Sequence, residues 1–334
     1  MKTKIIATIG PASEKDKIIA QISQAGAKRF RLNMSHGDVA WHVKMIKKLR
    51  KIPKVEIILD TKGPEIRTGK QEKPFYVKKE ESVIITTNPK EKTKTKNQIF
   101  INYRELGRLL KKGEIIMIDS GKIVLKVVSI EDDKIFTKVK DPGIMSSFRH
   151  VNLPGKKINL PILTNSDKEI LKQCKEFNIE KIAISFVRDV SDIKEVKMFL
   201  KENDINAKII SKIEHTEALK NIDKIIKESD EIMIARGDLG VETPWYAVPV
   251  EEELLIKKAH KFKKPIIVAT QMLSSMVNDD IPSRADVMDI SIAVQLGAQT
   301  VMLSDETASG KFPVEAVTAM ATIVKYAEKH KIIM

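Results

Sequence analysis

Cysteine is almost absent: Cys174 is the single one in 334 residues. No internal disulfide can form, which fits a reducing cytoplasm and excludes a disulfide-stapled secreted fold. Aromatic side chains make up only 5% of the chain, too few for an obvious base-stacking platform. No apolar run approaches the roughly 20 residues that a bilayer span needs. The opening MKTKIIAT lacks the apolar core and cleavage site of a signal peptide. Negative charge is the scarcer sign, with 45 Asp and Glu against 59 Lys and Arg, a net charge of +14. Such a balance admits a nucleic-acid partner or small anionic substrates. The lysines are scattered, however, and only Lys90, Lys92, Lys94 and Lys96 are locally dense, so neither a nucleic-acid nor a membrane partner is expected. What the chain does have is 42% hydrophobic residues, enough to bury the core of one large domain or two smaller ones.

Short apolar, β-branched runs recur at 4–9, 29–33, 55–60, 181–186, 208–213, 231–235, 265–270 and 300–304. Runs apolar nearly throughout are expected of parallel strands covered on both faces. Helix-like segments follow them: 13–25 behind Ser13, 38–50 behind Asp38, 168–177 behind Thr164, then 191–202, 216–228, 251–262, 283–295 and 314–329. Strands and helices alternating in equal number predict a (β/α)8 TIM barrel, although an open doubly wound sheet satisfies the same count. One connection breaks the rhythm. Residues 69–155 hold alternating runs at 82–86, 98–102, 114–118, 122–128 and 134–140, separated by turns such as Asp141-Pro142-Gly143. The chain therefore reads as a barrel catalytic domain, 1–68 and 156–334, with a small all-β lid domain inserted at 69–155.

In such barrels the chemistry lies where strands end. Glu214 and Asp238 follow neighbouring strands and are suited to a hard cation such as Mg²⁺. Lys212, two residues before Glu214, shares its strand face and is placed to steady a phosphoryl group in transfer. Arg31 and Arg67 offer guanidinium forks for phosphate. Asn33, Ser35, Asp60 and Thr61 supply oxygens for a second, less charged cation, or simply bond within their loops. Gly237 lets backbone approach a ligand, Thr270 places a hydroxyl at a strand end, and His36 shapes a loop or touches phosphate. Ion pairs and solvated acids account for each of these residues equally well when taken singly. The residues alone reach as far as a Mg²⁺-dependent barrel enzyme acting on small phosphorylated or carboxylated anions.

Taken in order, the segments resemble the pyruvate kinase family: TKIIATIGPAS at 3–13, RLNMSHG at 31–37, DTKGPEIRTG at 60–69, VNLPG at 151–155, SFVR at 185–188, SKIE at 211–214, ARGDLG at 235–240, ATQML at 269–273 and PVEAV at 313–317. The resemblance implies a barrel with a β-barrel lid, and phosphoryl transfer from phosphoenolpyruvate to ADP giving pyruvate and ATP in glycolysis. By the same match Lys212 would stabilise the moving phosphoryl group and Arg31 would bind phosphate. Glu214 and Asp238 would hold Mg²⁺ or Mn²⁺. Gly237, Asp238 and Thr270 would take the substrate carboxylate, with Thr270 guiding protonation of the enolate. Asn33, Ser35, Asp60 and Thr61 would bind K⁺, and Glu65 marks the potassium-dependent variant. Asn33, His36, Arg67 and Arg149 fall on the nucleotide side. A cytoplasmic homo-oligomer joined through the barrel domain is implied as well.

Some positions depart from the family pattern. The chain ends at Met334, just past the last barrel helix, so the C-terminal allosteric domain of most relatives is expected to be absent. Asp305 stands where glycine is usual, and Arg149-His150 replace Lys-Gly ahead of VNLPG. These changes leave two alternatives: a diverged paralogue that keeps enolate chemistry but uses another acceptor, and a non-catalytic binding protein with a basic surface.

Overall fold

Isoleucine and valine dominate the strand segments because each strand is buried on both faces, and a β-branched side chain packs well on a pleated surface. A computed structural model describes residues 1–91, 97–156 and 158–330; Lys92, Lys94, Lys96 and Met334 lie outside them. Its central strands are β1 Lys4–Thr8, β2 Arg29–Asn33, β3 Glu56–Asp60, β4 Lys181–Ile184, β5 Lys208–Ile213, β6 Glu231–Ala235, β7 Ile266–Ala269 and β8 Thr300–Leu303. Every neighbouring pair is parallel, and β1 closes on β8 with Lys4 opposite Thr300. Closure settles the choice left open by the sequence in favour of the barrel.

The period-two alternation of the strands divides their side chains cleanly. Outward residues such as Phe30, Leu32, Ile57, Leu59, Ile182 and Ile234 join the surrounding helices in the main core. Inward residues stack in three layers. The middle layer is hydrocarbon: Ile6, Ile58, Ala183, Ile210, Met233, Ile267 and Met302. The layer at the N-terminal ends of the strands is ionic. There Arg29 Nη1 donates to Glu231 Oε2 at 3.1 Å and to Thr300 Oγ1 at 3.1 Å. Lys181 pairs with Glu231 and lies 3.1 Å from Glu56 Oε2, and Lys4 Nζ reaches Glu56 Oε1 at 2.9 Å. The third layer, at the C-terminal ends, holds Thr8, Arg31, Asp60 and Lys212.

Burial works to raise the Glu56 carboxyl, but Lys4, Arg29 and Lys181 overcome it and hold the group at about 2, against an ordinary 4.5. A carboxyl depressed on folding adds stability above its unfolded pKa and loses it as pH falls toward the folded one. Between about pH 5 and pH 3, the urea midpoint of the wild-type chain should therefore drop more steeply than that of Glu56→Gln. Equal slopes would remove Glu56 from the acid transition.

The helices begin where small polar residues can take orphan amides. Asp38 accepts from the Trp41 amide, and Thr164 and Ser283 form capping boxes with Asp167 and Asp286. Ser13 does not cap. The first helix is Asp16–Ala25 behind Lys15, and the Ser13 hydroxyl instead accepts from the Gly10 amide at 3.2 Å. The single helix expected at 216–228 is two, Thr216–Lys220 and Ile222–Glu228. They part at Asn221, whose side-chain amide donates to the Arg188 and Glu217 carbonyls. The helix expected from residue 251 starts earlier, as Val248–Lys261, with Pro249 in its first turn, where a missing amide costs nothing.

The chain divides into two compact units, residues 1–64, 160–240 and 246–334 in the first, and 65–159 with 241–245 in the second. The first contains the barrel. The second carries a six-stranded mixed sheet in the order Val151–Asn152, Ile115–Ile118, Ile123–Glu131, Lys134–Asp141, Ser82–Thr86, Gln98–Phe100. It also holds a two-stranded ribbon of Phe75–Val77 with Gly143–Met145 and one helical turn, Leu106–Leu109.

Candidate active site

Asp60 ends β3, fully buried at the C-terminal mouth of the barrel. An isolated carboxylate could not remain charged there, so the residue is wrapped in cations. Arg31, paired to β3 across the ladder, donates from Nε to Asp60 Oδ2 at 2.5 Å. From β5, Lys212 Nζ lies 3.1 Å from Asp60 Oδ1, 2.9 Å from Glu214 Oε1 and 2.7 Å from Ser185 Oγ, to which it donates. Burial works against the charge on Asp60, yet Arg31 and Lys212 hold its carboxyl below the ordinary value. Burial would likewise depress the Lys212 ammonium, but Asp60 and Glu214 outweigh it and raise the group. Lys212 is a permanent cation. Arg31 also reaches Thr8 Oγ1 at 3.3 Å, and so spans three neighbouring strands.

Glu214 sits just past β5, with Oε2 accepting from the Phe186 amide at 2.6 Å. Phe186 has φ 57°, an unusual backbone for a bulky residue, and this turn belongs to the segment whose amide meets the carboxylate. Burial, reinforced by the negative charge of Asp238 and against the pull of Lys212, pushes Glu214 up to about 6. Asp238, in the first turn of the helix Arg236–Glu242 that follows β6, therefore lies within electrostatic reach of both Glu214 and Lys212. Glu214 Oε1 is buried against the Lys212 ammonium, 2.9 Å away. Among the described residues no cluster of three or more His, Cys, Asp or Glu side chains is gathered for a metal. Two hard carboxylates within electrostatic reach of each other are the donor chemistry of an ion that keeps much of its shell from water and substrate, as Mg²⁺ does.

Thr270 and Gly237 face each other: the Gly237 amide donates to Thr270 Oγ1 at 2.8 Å. With that lone pair engaged, the hydroxyl proton is free to point elsewhere. Thr270 follows β7 with φ 69°. The loop after β2 is folded on itself, with Asn33 Oδ1 accepting from the Ser35 amide at 3.1 Å, and His36 is exposed. Thr61 is tied to β4, its amide donating to the Ala183 carbonyl at 2.9 Å and its carbonyl accepting from Ser185 Oγ at 2.6 Å. Asn33 and Asp60 are register partners, so these two residues and Ser35 and Thr61 lie at two adjacent strand ends. This all-oxygen donor set suits a monovalent cation.

Arg67 needs a correction. Strand β3 stops at Asp60, so Arg67 is no barrel strand-end residue beside Arg31; it belongs to the second unit and bridges to His150. There Glu65 grips it bidentately at 2.8 Å through both Nε and Nη2, while Nη1 donates to the Phe148 carbonyl at 2.6 Å. Arg149, also in the second unit, donates to Ser146 Oγ at 2.5 Å and lies 3.4 Å from Asp119. Asp305 is exposed at the start of a helical turn, so its charge is left to water.

Several residues of this mouth escaped the sequence reading. Ser185 bonds Lys212, Asp60 and Thr61, and Asp167 receives the Lys62 and Gly63 amides at 2.7 and 3.2 Å while it closes its own capping box. Glu306 accepts from the Leu273 and Ser304 amides, joining the segments after β7 and β8. Only the motifs SFVR and SKIE hinted at the first of these.

Comparison with known proteins places this arrangement. Residues 1–317 match the family described as "Pyruvate kinase, barrel domain". The chain is 42% identical over 334 residues to the pyruvate kinase of Clostridium acetobutylicum, and 40% over 338 residues to that of Thermococcus litoralis. These matches cover 98% and 99% of this chain and 70% of each relative. It is 39% identical over 333 residues to plastidial pyruvate kinase 3 of Arabidopsis thaliana, covering 98% of this chain and 58% of that protein. The chain thus spans between about half and three-quarters of the length of these relatives, and it belongs to the pyruvate kinase family.

Proposed function

We propose that the chain transfers the phosphoryl group of phosphoenolpyruvate to ADP, giving pyruvate and ATP. The observation that carries this reading is the Lys212 ammonium, fixed between Asp60 and Glu214 at the barrel mouth. A phosphoryl group in flight spreads negative charge over its oxygens, and a preorganised cation in a water-poor site stabilises that charge strongly. Arg31 adds a second cation toward the donor phosphate. The bond from phosphorus to the enol oxygen breaks as an oxygen of the ADP β-phosphate bonds to phosphorus. The enolate left behind must gain a proton at carbon, and the orienting of that proton is assigned to the Thr270 hydroxyl. The Gly237 amide and the first turn around Asp238 would take the substrate carboxylate.

Glu214 and Asp238 would hold Mg²⁺ or Mn²⁺, which when bound neutralises phosphoryl oxygens. Asn33, Ser35, Asp60 and Thr61 would hold K⁺. Asn33 and His36 are assigned to the nucleotide. Among the described residues no helix is long and apolar enough to cross a membrane. A cytoplasmic setting fits a chain whose single cysteine, Cys174, can form no internal disulfide.

Purified chain given phosphoenolpyruvate, ADP, Mg²⁺ and K⁺ should form ATP and pyruvate in equal amounts. Chelating the divalent ion or replacing K⁺ by a large organic cation should each lower the rate by an order of magnitude or more. Absence of turnover across a range of cations and nucleotides would overturn the assignment.

A further inference from the structure

Thr270 is β-branched yet left-handed, and Gln271 after it is left-handed too, at φ 69° and 56°. Such backbone persists only where the surroundings over-determine it. The restraint is visible. Arg236 donates to the Thr270 carbonyl oxygen from Nε at 3.2 Å and from Nη2 at 2.7 Å. The same guanidinium pairs with both oxygens of Asp289 at 2.7 Å and with Glu252 Oε2 at 3.1 Å. Arg236 is only 8% exposed. Its anchors come from two separate helices, Val248–Lys261 and Arg284–Gln295. A planar fork gripped on one edge by carboxylates presents its other edge in a fixed direction, which a lysine cannot do. Fixing the Thr270 carbonyl restrains the backbone from which the side chain springs, while Oγ1 itself is held by the Gly237 amide at 2.8 Å.

We propose that Arg236 is a positioning residue: held by Asp289 and Glu252, it clamps the strained Thr270 backbone so that the Thr270 hydroxyl is aimed at the substrate carbon to be protonated. This rests on the phosphoryl-transfer reading above. It ties enolate protonation to two helices on the outside of the barrel.

A double-mutant cycle tests the clamp. In the wild-type background Arg236→Lys should lower kcat by about 10- to 100-fold, with KM for phosphoenolpyruvate changing by less than about threefold. In a Thr270→Ala background the same change should cost less than about twofold, since the group being aimed is gone. The milder Asp289→Asn, whose side chain is part-exposed, should show the same pattern at about 3- to 10-fold and serves if Arg236→Lys does not fold. Equal losses in both backgrounds, or no loss in either, would overturn the proposal. A wild-type chain without turnover would instead refute the phosphoryl-transfer reading. The clamp is then decided by the crystal structure of Arg236→Lys, where a Thr270 φ relaxed to negative values supports it and a φ still near 69° overturns it.

Discussion

Replacing Lys212 by Met is expected to cut phosphoenolpyruvate-dependent ATP formation by about a thousandfold or more. Among the described residues Lys212 is the cation in contact with both Asp60 and Glu214, and methionine keeps its approximate length while removing the charge. Without it the mouth of the barrel keeps the carboxylates of Asp60, Glu214 and Asp238 against the one guanidinium of Arg31, which is already bonded to Asp60. Lys212→Arg should fail nearly as badly. A guanidinium is too wide and too rigid to sit within hydrogen-bond distance of Ser185, Asp60 and Glu214 together. The measurement is the initial rate in the coupled assay, with circular dichroism confirming the fold. A rate within tenfold of wild type would mean that the ammonium is structural only.

The second large effect falls on stability. Glu231 is buried at the opposite end of the barrel, with Arg29 and Lys181 both bonded to it. Glu231→Met strips two buried cations of their shared partner and leaves Glu56 to serve both. Breaking a buried ion network from one side typically costs about 3–5 kcal/mol. Urea unfolding should show a loss of that size. Exchanging Arg29, Lys181 and Glu231 together for Met, Leu and Leu should restore much of it, because hydrocarbon needs no partner. Activity at saturating substrate should be retained in any variant that folds. A single-variant loss below about 1 kcal/mol would show that water reaches this layer and solvates it.

The barrel was legible because parallel strands advertise themselves: runs such as Ile5-Ile6-Ala7 and Ile232-Met233-Ile234 have no polar face to confuse them. Caps were legible where the side chain truly takes an amide, as at Asp38 and Thr164, and misleading at Ser13, whose hydroxyl accepts from Gly10. Strands of two or three residues, Phe75–Val77, Gly143–Met145 and Val151–Asn152, are too short for any alternation to register. The charged groups at the strand ends could be named from their motifs, whereas their supports could not. Arg236 meets Asp289 across 53 residues, and Asp167 reaches Lys62 across 105; nothing local in the sequence announces such pairs. Backbone strain at Phe186 and Thr270 is invisible for the same reason, since it is imposed by distant partners and not by the residues themselves.

The hydrocarbon belt of Ile6, Ile58, Ala183, Ile210, Met233, Ile267 and Met302 acts as an insulator. On either side of it lies a cluster of paired charges, Lys4, Arg29, Lys181, Glu56 and Glu231 at one end, Arg31, Lys212, Asp60 and Glu214 at the other. Each cation has an acid in contact with it, so opposite charges largely offset one another inside each cluster, and four residue steps of strand, about 13 Å, lie between Glu56 and Asp60. Selection can therefore retune the chemistry at one rim while the other keeps the staves in register, and a lineage can change substrate without rebuilding its foundations.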